Sequence, residues 1–289
     1  MAISASLIRH LNYSSSATVR RVFNNIRDIG KTKHSAELAW KFRDVPDKYR
    51  FELMLPHHFN HVMDISRGFF ESESLSQATG TSVDNCRTGM EWMLAYSIAA
   101  NLAVTNQSWI CYHKETNKPV AFRLVNPVYK DPSKAPFAIP EPTIPFSDQE
   151  MTLFNPLDET FDMVWKIFPD ENVVFKGDIM YIEEAHRSSG LYHCMINYNL
   201  NFPAVAEATG AKYLVIICTS KKSKWWYHKE GYKIIYKGPK GGKVMNVNGE
   251  MVDLPGGEFW LMATELRNTT PLDVYPFWKA IKKCPQGNY

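Results

Sequence analysis

Apolar residues in this chain change period several times, and each change marks an element. "YRFELML", Tyr49 to Leu55, alternates at period two, as a half-buried strand does. Pro56 then opens a segment in which Phe59, Val62, Met63 and Ile65 or Ser66 recur at helical spacing. A polar stretch, "ESESLSQATGTS", interrupts it, and Ser82 is placed to cap a second helix through Met90, Leu94, Ile98 and Leu102. "SWICYHKETNKPVAFRLVN" reads as a hairpin turning at Glu115 to Lys118. Six prolines between Pro127 and Pro145 predict a long irregular loop over 127–150.

From there the pattern alternates between helix and strand. "DETFDMVWKIF" predicts a short amphipathic helix and "VVFKGDIMYI" the strand after it. A helix is expected from Gly190 to Glu207, ended by Gly210, and "KYLVIIC" is a buried strand. "SKKSKWWYHKE" is helical up to Gly231, "YKIIYKG" is extended, Asn248-Gly249 marks a hairpin turn, and "EFWLMATEL" is a last strand. The order predicts one α/β domain over 49–270, with a mixed central sheet of about seven strands flanked by helices. The sheet should be antiparallel early and α/β-alternating late. A linker at 28–48 precedes the domain and a tail at 271–289 follows it.

Charge and composition alter this picture mainly at the N-terminus. Residues 1–27 hold Arg9, Arg20, Arg21 and Arg27, several serines and no acidic residue, with Val19, Val22, Phe23 and Ile26 at helical spacing. That is the composition of a mitochondrial transit segment; a basic tail on a cytoplasmic protein is the alternative. The formal charge is 33 − 30 = +3, and without those four arginines it is 29 − 30 = −1. A near-neutral folded part argues against a nucleic-acid surface. No apolar run reaches the ~18 residues of a membrane span. The five scattered cysteines form no C-x-x-C pair, which argues against a disulfide framework or structural zinc.

Two segments carry candidate chemistry. After Ile182 the chain must turn, and the amides of Ser188, Ser189, Gly190 and Leu191 precede or begin a helix. Unpaired N–H groups, the helix dipole and Arg187 together suit a pyrophosphate, although one glycine at such a junction can serve only the turn. Some thirty residues on, Ser220 can cap a helix in which Ser223 and Tyr227 share a face at i, i+4. A tyrosine so placed can protonate a leaving group, or can be an ordinary core residue. His57 and His61 are also i, i+4, but surface or capping roles outweigh a metal role because no third ligand is recognisable.

Taken together, these segments resemble the GNAT superfamily of acetyl-CoA-dependent acyltransferases. Arg187 and Gly190 match its Q/R-x-x-G-x-G/A turn, and Ser223, Tyr227, Lys229, Gly231 and Tyr232 match its later S/A-x-x-x-Y-x-K-x-G-F/Y segment. "FFESESL" is similar to the F-F-x-x-E-P-L segment of invertebrate arylalkylamine N-acetyltransferases, through Phe69, Phe70, Glu73 and Leu75. Tyr192 stands at the second small position of the turn, Ser220 replaces an asparagine, Glu184 replaces a frequent proline, and Ser74 replaces the proline after the glutamate.

The resemblance implies the GNAT fold, acetyl-CoA as co-substrate and a small primary amine as acceptor. It implies Glu73 as general base, Tyr227 as general acid, and an oxyanion held by a backbone N–H near Tyr181 or Ile182. Coenzyme contacts would come from Arg187, Ser188, Ser189, Gly190, Leu191 and Tyr192, with Ser220 and Ser223 on the later helix. A GNAT member with a polyamine or protein acceptor, or a non-catalytic acyl-CoA-binding member, are the alternatives.

Overall fold

The computed structural model describes residues 47–104, 107–142, 144–197, 206 and 209–266. The segment 1–27, most of the linker and the tail 271–289 lie outside the described residues. Strand β1 (Tyr49–Leu53) leads through a short 3-10 turn at Pro56–His58 into α1 (Phe59–Ser72). Its apolar stripe of Phe59, Val62, Ile65 and Phe70 is buried against the sheet. The polar stretch that follows is not irregular. It folds as α2 (Ser74–Thr79), because the Glu73 carboxylate caps the Ser76 N–H and Gly80 stops it at φ 72°.

Helix α3 spans Arg87–Ala103. Ser82 does not cap it: its hydroxyl accepts from the Asn85 N–H within a preceding turn. The hairpin is β2 (Trp109–His113) and β3 (Lys118–Tyr129). Pro127 belongs to β3, against the expected loop. At that point β3 has outrun β2, which begins at Trp109 opposite Arg123, so the strand there has only one neighbour among the described strands. The loop closes early as well, since α4 runs over Asp148–Ile167 from a Ser147–Glu150 capping box and passes through Pro156. The Glu150 carboxylate also accepts the Gly89 N–H, tying α4 to α3.

Strand β4 (Val173–Ile182), helix α5 (Leu191–Asn197), β5 (Tyr213–Cys218), α6 (Lys221–Lys229) and β6 (Lys233–Gly238) follow. A small hairpin of β7 (Lys243–Met245) and β8 (Met251–Asp253) precedes β9 (Phe259–Glu265). Described residues thus bear out the helix only as far as Asn197, and Gly210 lies at φ 78° where the stop was expected.

The main sheet has seven strands in the order β1-β2-β3-β4-β5-β9-β6. Among the described strands only β4 and β5 are parallel neighbours. On one face α1, α3 and α4 cover the sheet, and Ile179 and Tyr181 join their core. On the other, α5 and α6 cover Phe175, Ile182 and Cys218.

Candidate active site

The parallel pair is short. Register runs only over Phe175–Leu214, Lys176–Val215 and Gly177–Ile216. Gly177 stands where the strands are tightest: a Cβ there would meet Ile216 Cγ2 at 2.8 Å. Immediately afterwards β4 carries a bulge, since Leu124 pairs Ile179 while Val125 pairs Gly177, leaving Asp178 as the extra residue. Beyond it no register joins β4 to β5, and Met180 to Ile182 border an open wedge.

The wedge has identifiable donors. The Glu183 N–H bonds Val120 O across β3, so by the two-residue alternation the Tyr181 N–H also faces β3. Met180 and Ile182 therefore direct their N–H groups to the open side. Of the two residues expected to supply an oxyanion donor, Ile182 has the right direction and the Tyr181 amide does not. The Ile182 carbonyl is likewise turned away from β3, and Arg187 Nε donates to it at 3.1 Å. Burial pushes the Tyr181 hydroxyl up, while the Arg187 guanidinium beside it pulls it down.

The turn after β4 is a strained one. A 3-10 turn at Glu184–His186 is followed by Ser188 at φ 63° and Gly190 at φ 89°. The Ser189 hydroxyl donates to His186 O at 2.5 Å, and Tyr49 Oη lies 2.9 Å from His186 Nδ1. Among the described residues no acceptor takes the N–H of Ser188, Ser189, Gly190 or Leu191. Tyr192 turns its ring toward α6, with ring centroids 5.2 Å from Trp226 and 6.5 Å from Tyr227. Its hydroxyl is buried without a hydrogen-bond partner among the described residues.

On the β5 side, Ser220 caps α6 by accepting the Ser223 N–H at 3.1 Å, and the two hydroxyls lie 2.9 Å apart. Tyr227 is buried and packs edge-on against Tyr232. Glu73 reaches the same end of β5. Its Oε1 accepts from Thr219 Oγ1 at 2.5 Å, its Oε2 accepts from the Ser76 N–H at 2.8 Å, and Ser74 Oγ donates to Thr219 O. The structure so brings Glu73 beside Ser220 and places Tyr181, Ile182 and Arg187 across the wedge. Thr219 was missed in the sequence, where a threonine between a strand and a cap carries no signal of its own. Cys218, which ends β5, is buried, and burial pushes its thiol up to about 12.

The histidines near Pro56 gain an acidic neighbour unseen in the sequence, Glu52, and His57, His58 and Glu52 approach one another closely enough for an ion. The geometry of His58 opposes one. Its Nδ1 accepts the Leu55 N–H at 3.1 Å, so the proton is on Nε2, which donates to Glu52 at 3.0 Å. Binding a cation through Nε2 with that cap intact would need an imidazolate. His61 instead meets Tyr112 Oη at 2.7 Å.

No protein-family model and no curated protein matches the chain. Solved structures do. Arylalkylamine N-acetyltransferase 2 from Aedes aegypti superposes over 76% of this chain and 100% of its own, with a TM-score of 0.56 at 18% identity. A polyamine N-acetyltransferase from Drosophila melanogaster covers 75% of this chain and 99% of its own, with a TM-score of 0.53 at 12% identity. The C-terminal condensation domain of Ebony, in complex with β-alanyl-dopamine, gives 0.52 at 16% identity over 75% and 99%. The chain has the GNAT fold. In the terms of that fold, the wedge between β4 and β5, the turn at Arg187 to Gly190 and the cap of α6 all lie at the C-terminal ends of the two parallel strands. No helix among the described residues is long and apolar enough to cross a membrane.

Proposed function

We propose that the chain is an acyl-CoA-dependent N-acyltransferase that moves acetyl from acetyl-CoA to a small primary amine of the arylalkylamine type. The observation that carries this reading is the wedge. It combines outward amides at Met180 and Ile182, a strained turn at its mouth whose N–H groups have no acceptor among the described residues, and a carboxylate, Glu73, on the opposite strand end. The amides of Ser188 to Leu191 and the Arg187 side chain suit the pyrophosphate. Ser220 and Ser223 flank the path toward Tyr227, and the turned-away ring of Tyr192 leaves the turn's amides uncovered. Acetyl-CoA supplies the activated thioester.

The chain's own residues do the rest. Glu73 takes the proton from the acceptor ammonium, with the Thr219 hydroxyl fixing the carboxylate. The Ile182 N–H polarises the carbonyl oxygen, and Tyr227 returns a proton to the departing sulfur. Direct attack is favoured over a thioester on the enzyme because the cysteine beside the wedge is held as a thiol. The named neighbours act on arylalkylamines and on a polyamine, which supports an amine acceptor and leaves the polyamine as the second choice. The first 27 residues are proposed as a mitochondrial transit segment; an intact Met1 on protein isolated from the organelle would refute this.

The decisive experiment is acetyl transfer to a panel of arylalkylamines, polyamines and amino acids, together with melting curves in acetyl-CoA. A coenzyme well above its dissociation constant should add about 2–3 kcal/mol of stability. Absence of any melting shift at millimolar acetyl-CoA would remove the coenzyme from the proposal. A shift without transfer to any amine would favour the non-catalytic member.

A further inference from the structure

We propose that the outward face of the β7–β8 hairpin is an oxidation site, where Met245 and Met251 take oxygen from peroxide-class oxidants and so spare the rest of the fold. The two residues stand directly opposite each other in the hairpin ladder. Met245 is 50% exposed and Met251 58%, and no other methionine among the described residues is exposed. Met54, Met90, Met195 and Met262 are buried, and the remaining ones are half-buried.

Peroxide attacks accessible, electron-rich sulfur, and the described thiols do not supply it. Cys86, Cys111, Cys194 and Cys218 are all buried. A thiol reacts as its thiolate, and burial pushes Cys86 and Cys218 up to about 12 and Cys111 up as well. A thioether has no proton to lose, so its reactivity follows its access to solvent. In the step itself a sulfur lone pair attacks one peroxide oxygen. The O–O bond breaks and an S–O bond forms. The proton of the transferred oxygen passes to the departing one, which leaves as water. Sulfur is oxidised by the two electrons that the peroxide gains.

The hairpin is built to carry that change. Its side chains alternate: Val244 is 3% exposed and Val252 packs against the same core, so the thioethers stand on the opposite face, in water. A sulfoxide is polar, and its damage is done in a core rather than at a surface. The hairpin's fastenings do not involve the two sulfurs. Lys243 Nζ lies 3.7 Å from Asp253 Oδ1, the Asn246 N–H donates to Glu250 O at 2.8 Å, and the Val247 N–H donates to Thr79 O at 2.8 Å. The half-buried methionines, by contrast, include Met180 at the border of the wedge, where the same oxygen would enter the site.

The test is peptide mass spectrometry of the full chain after substoichiometric hydrogen peroxide, with melting curves on the same samples. Sulfoxide should accumulate at Met245 and Met251 several-fold faster than at Met63, Met93 or Met180, with the melting temperature unchanged. The Met245→Leu/Met251→Leu double variant keeps the volume of both side chains and should melt as the wild type does. The same dose of peroxide should then raise sulfoxide at the half-buried methionines several-fold. An even spread of sulfoxide over the methionines of the wild type would overturn the proposal. So would a melting temperature that falls as the pair is oxidised, or a double variant whose other methionines are oxidised no faster. None of these readouts depends on acetyl transfer, so the outcome is separate from that of the coenzyme reading.

Discussion

Helix α1 crosses β4 at Gly68, and replacing this glycine with alanine tests how closely the wall of the wedge is packed. A Cβ at Gly68 would overlap the Tyr181 hydroxyl and stand 2.9 Å from Tyr181 Cζ. Alanine gains about 1 kcal/mol of helix propensity over glycine. Overpacking a filled site costs about 1–3 kcal/mol. Tyr181 cannot yield freely, because its ring packs near Phe69 and Phe122 at centroid distances of 6.4 and 6.1 Å. The balance is a net loss of about 0–2 kcal/mol, and each kcal/mol corresponds to roughly 2–4 °C in a domain of this size. Displacing Tyr181 also disturbs the Arg187 side chain beside it, so KM for acetyl-CoA should rise while stability falls. Adding Tyr181→Phe removes the hydroxyl and should recover part of the lost melting temperature. A Gly68→Ala protein that gains the full helix propensity and keeps its KM would refute the close contact and the reasoning built on it.

Three further outcomes are expected. Glu73→Gln should lower kcat by roughly 10²–10³ without weakening acetyl-CoA binding; Thr219→Val should lower kcat with little change in KM for acetyl-CoA, and Thr219→Ser should restore it, whereas equal loss in the valine and serine variants would leave Thr219 only a structural part. Tyr192→Phe should raise stability in denaturant melts by about 1 kcal/mol, because it removes a buried hydroxyl that has no partner among the described residues; a clear loss of stability would show that the hydroxyl has one. His58 is held down to about 4 from its ordinary 6.5, by burial first and then by the charge of His57. The unfolded chain therefore binds the extra proton between those values, stability present above pH 6.5 is lost as pH falls toward 4, and the loss is at most about 3 kcal/mol. His58→Gln should flatten that slope in urea titrations across pH 4–7, and an unchanged slope would place the proton elsewhere.

Elements whose signal is local were legible in the sequence. The strand ending at Ile182, the turn through Gly190, Ser220 as a cap and Gly210 as a stop follow from residues within one turn of each other. Two misreadings came from weighing one local signal alone. The density of prolines hid the Ser147–Glu150 capping box, and Ser82 looked like a cap although Cys86 holds that position. The site itself was only half visible. The pairing of Glu73 with Thr219 joins positions 146 residues apart, and no spacing rule reaches that far. The direction of the Ile182 amide depends on register across β3, which a single strand does not encode.

The bulge at Asp178 amounts to a phase slip of one residue in an otherwise regular strand. Before it, Val174 and Lys176 face α4 while Phe175 faces α6; after it, the parity is reversed, and Ile179 and Tyr181 take the α1 side. Were Asp178 to enter the ladder as an ordinary residue, the faces of the last four side chains would be exchanged: Tyr181 would lie under α5, and Ile182 would point at Gly68. The pairing instead skips it, since the consecutive residues Val125 and Leu124 meet Gly177 and Ile179. The wedge therefore depends on the slip in the backbone and not on the side chain at its apex. Asp178→Ala should keep its geometry, and so should deletion of Asp178, because it removes the one residue of β4 that β3 passes over.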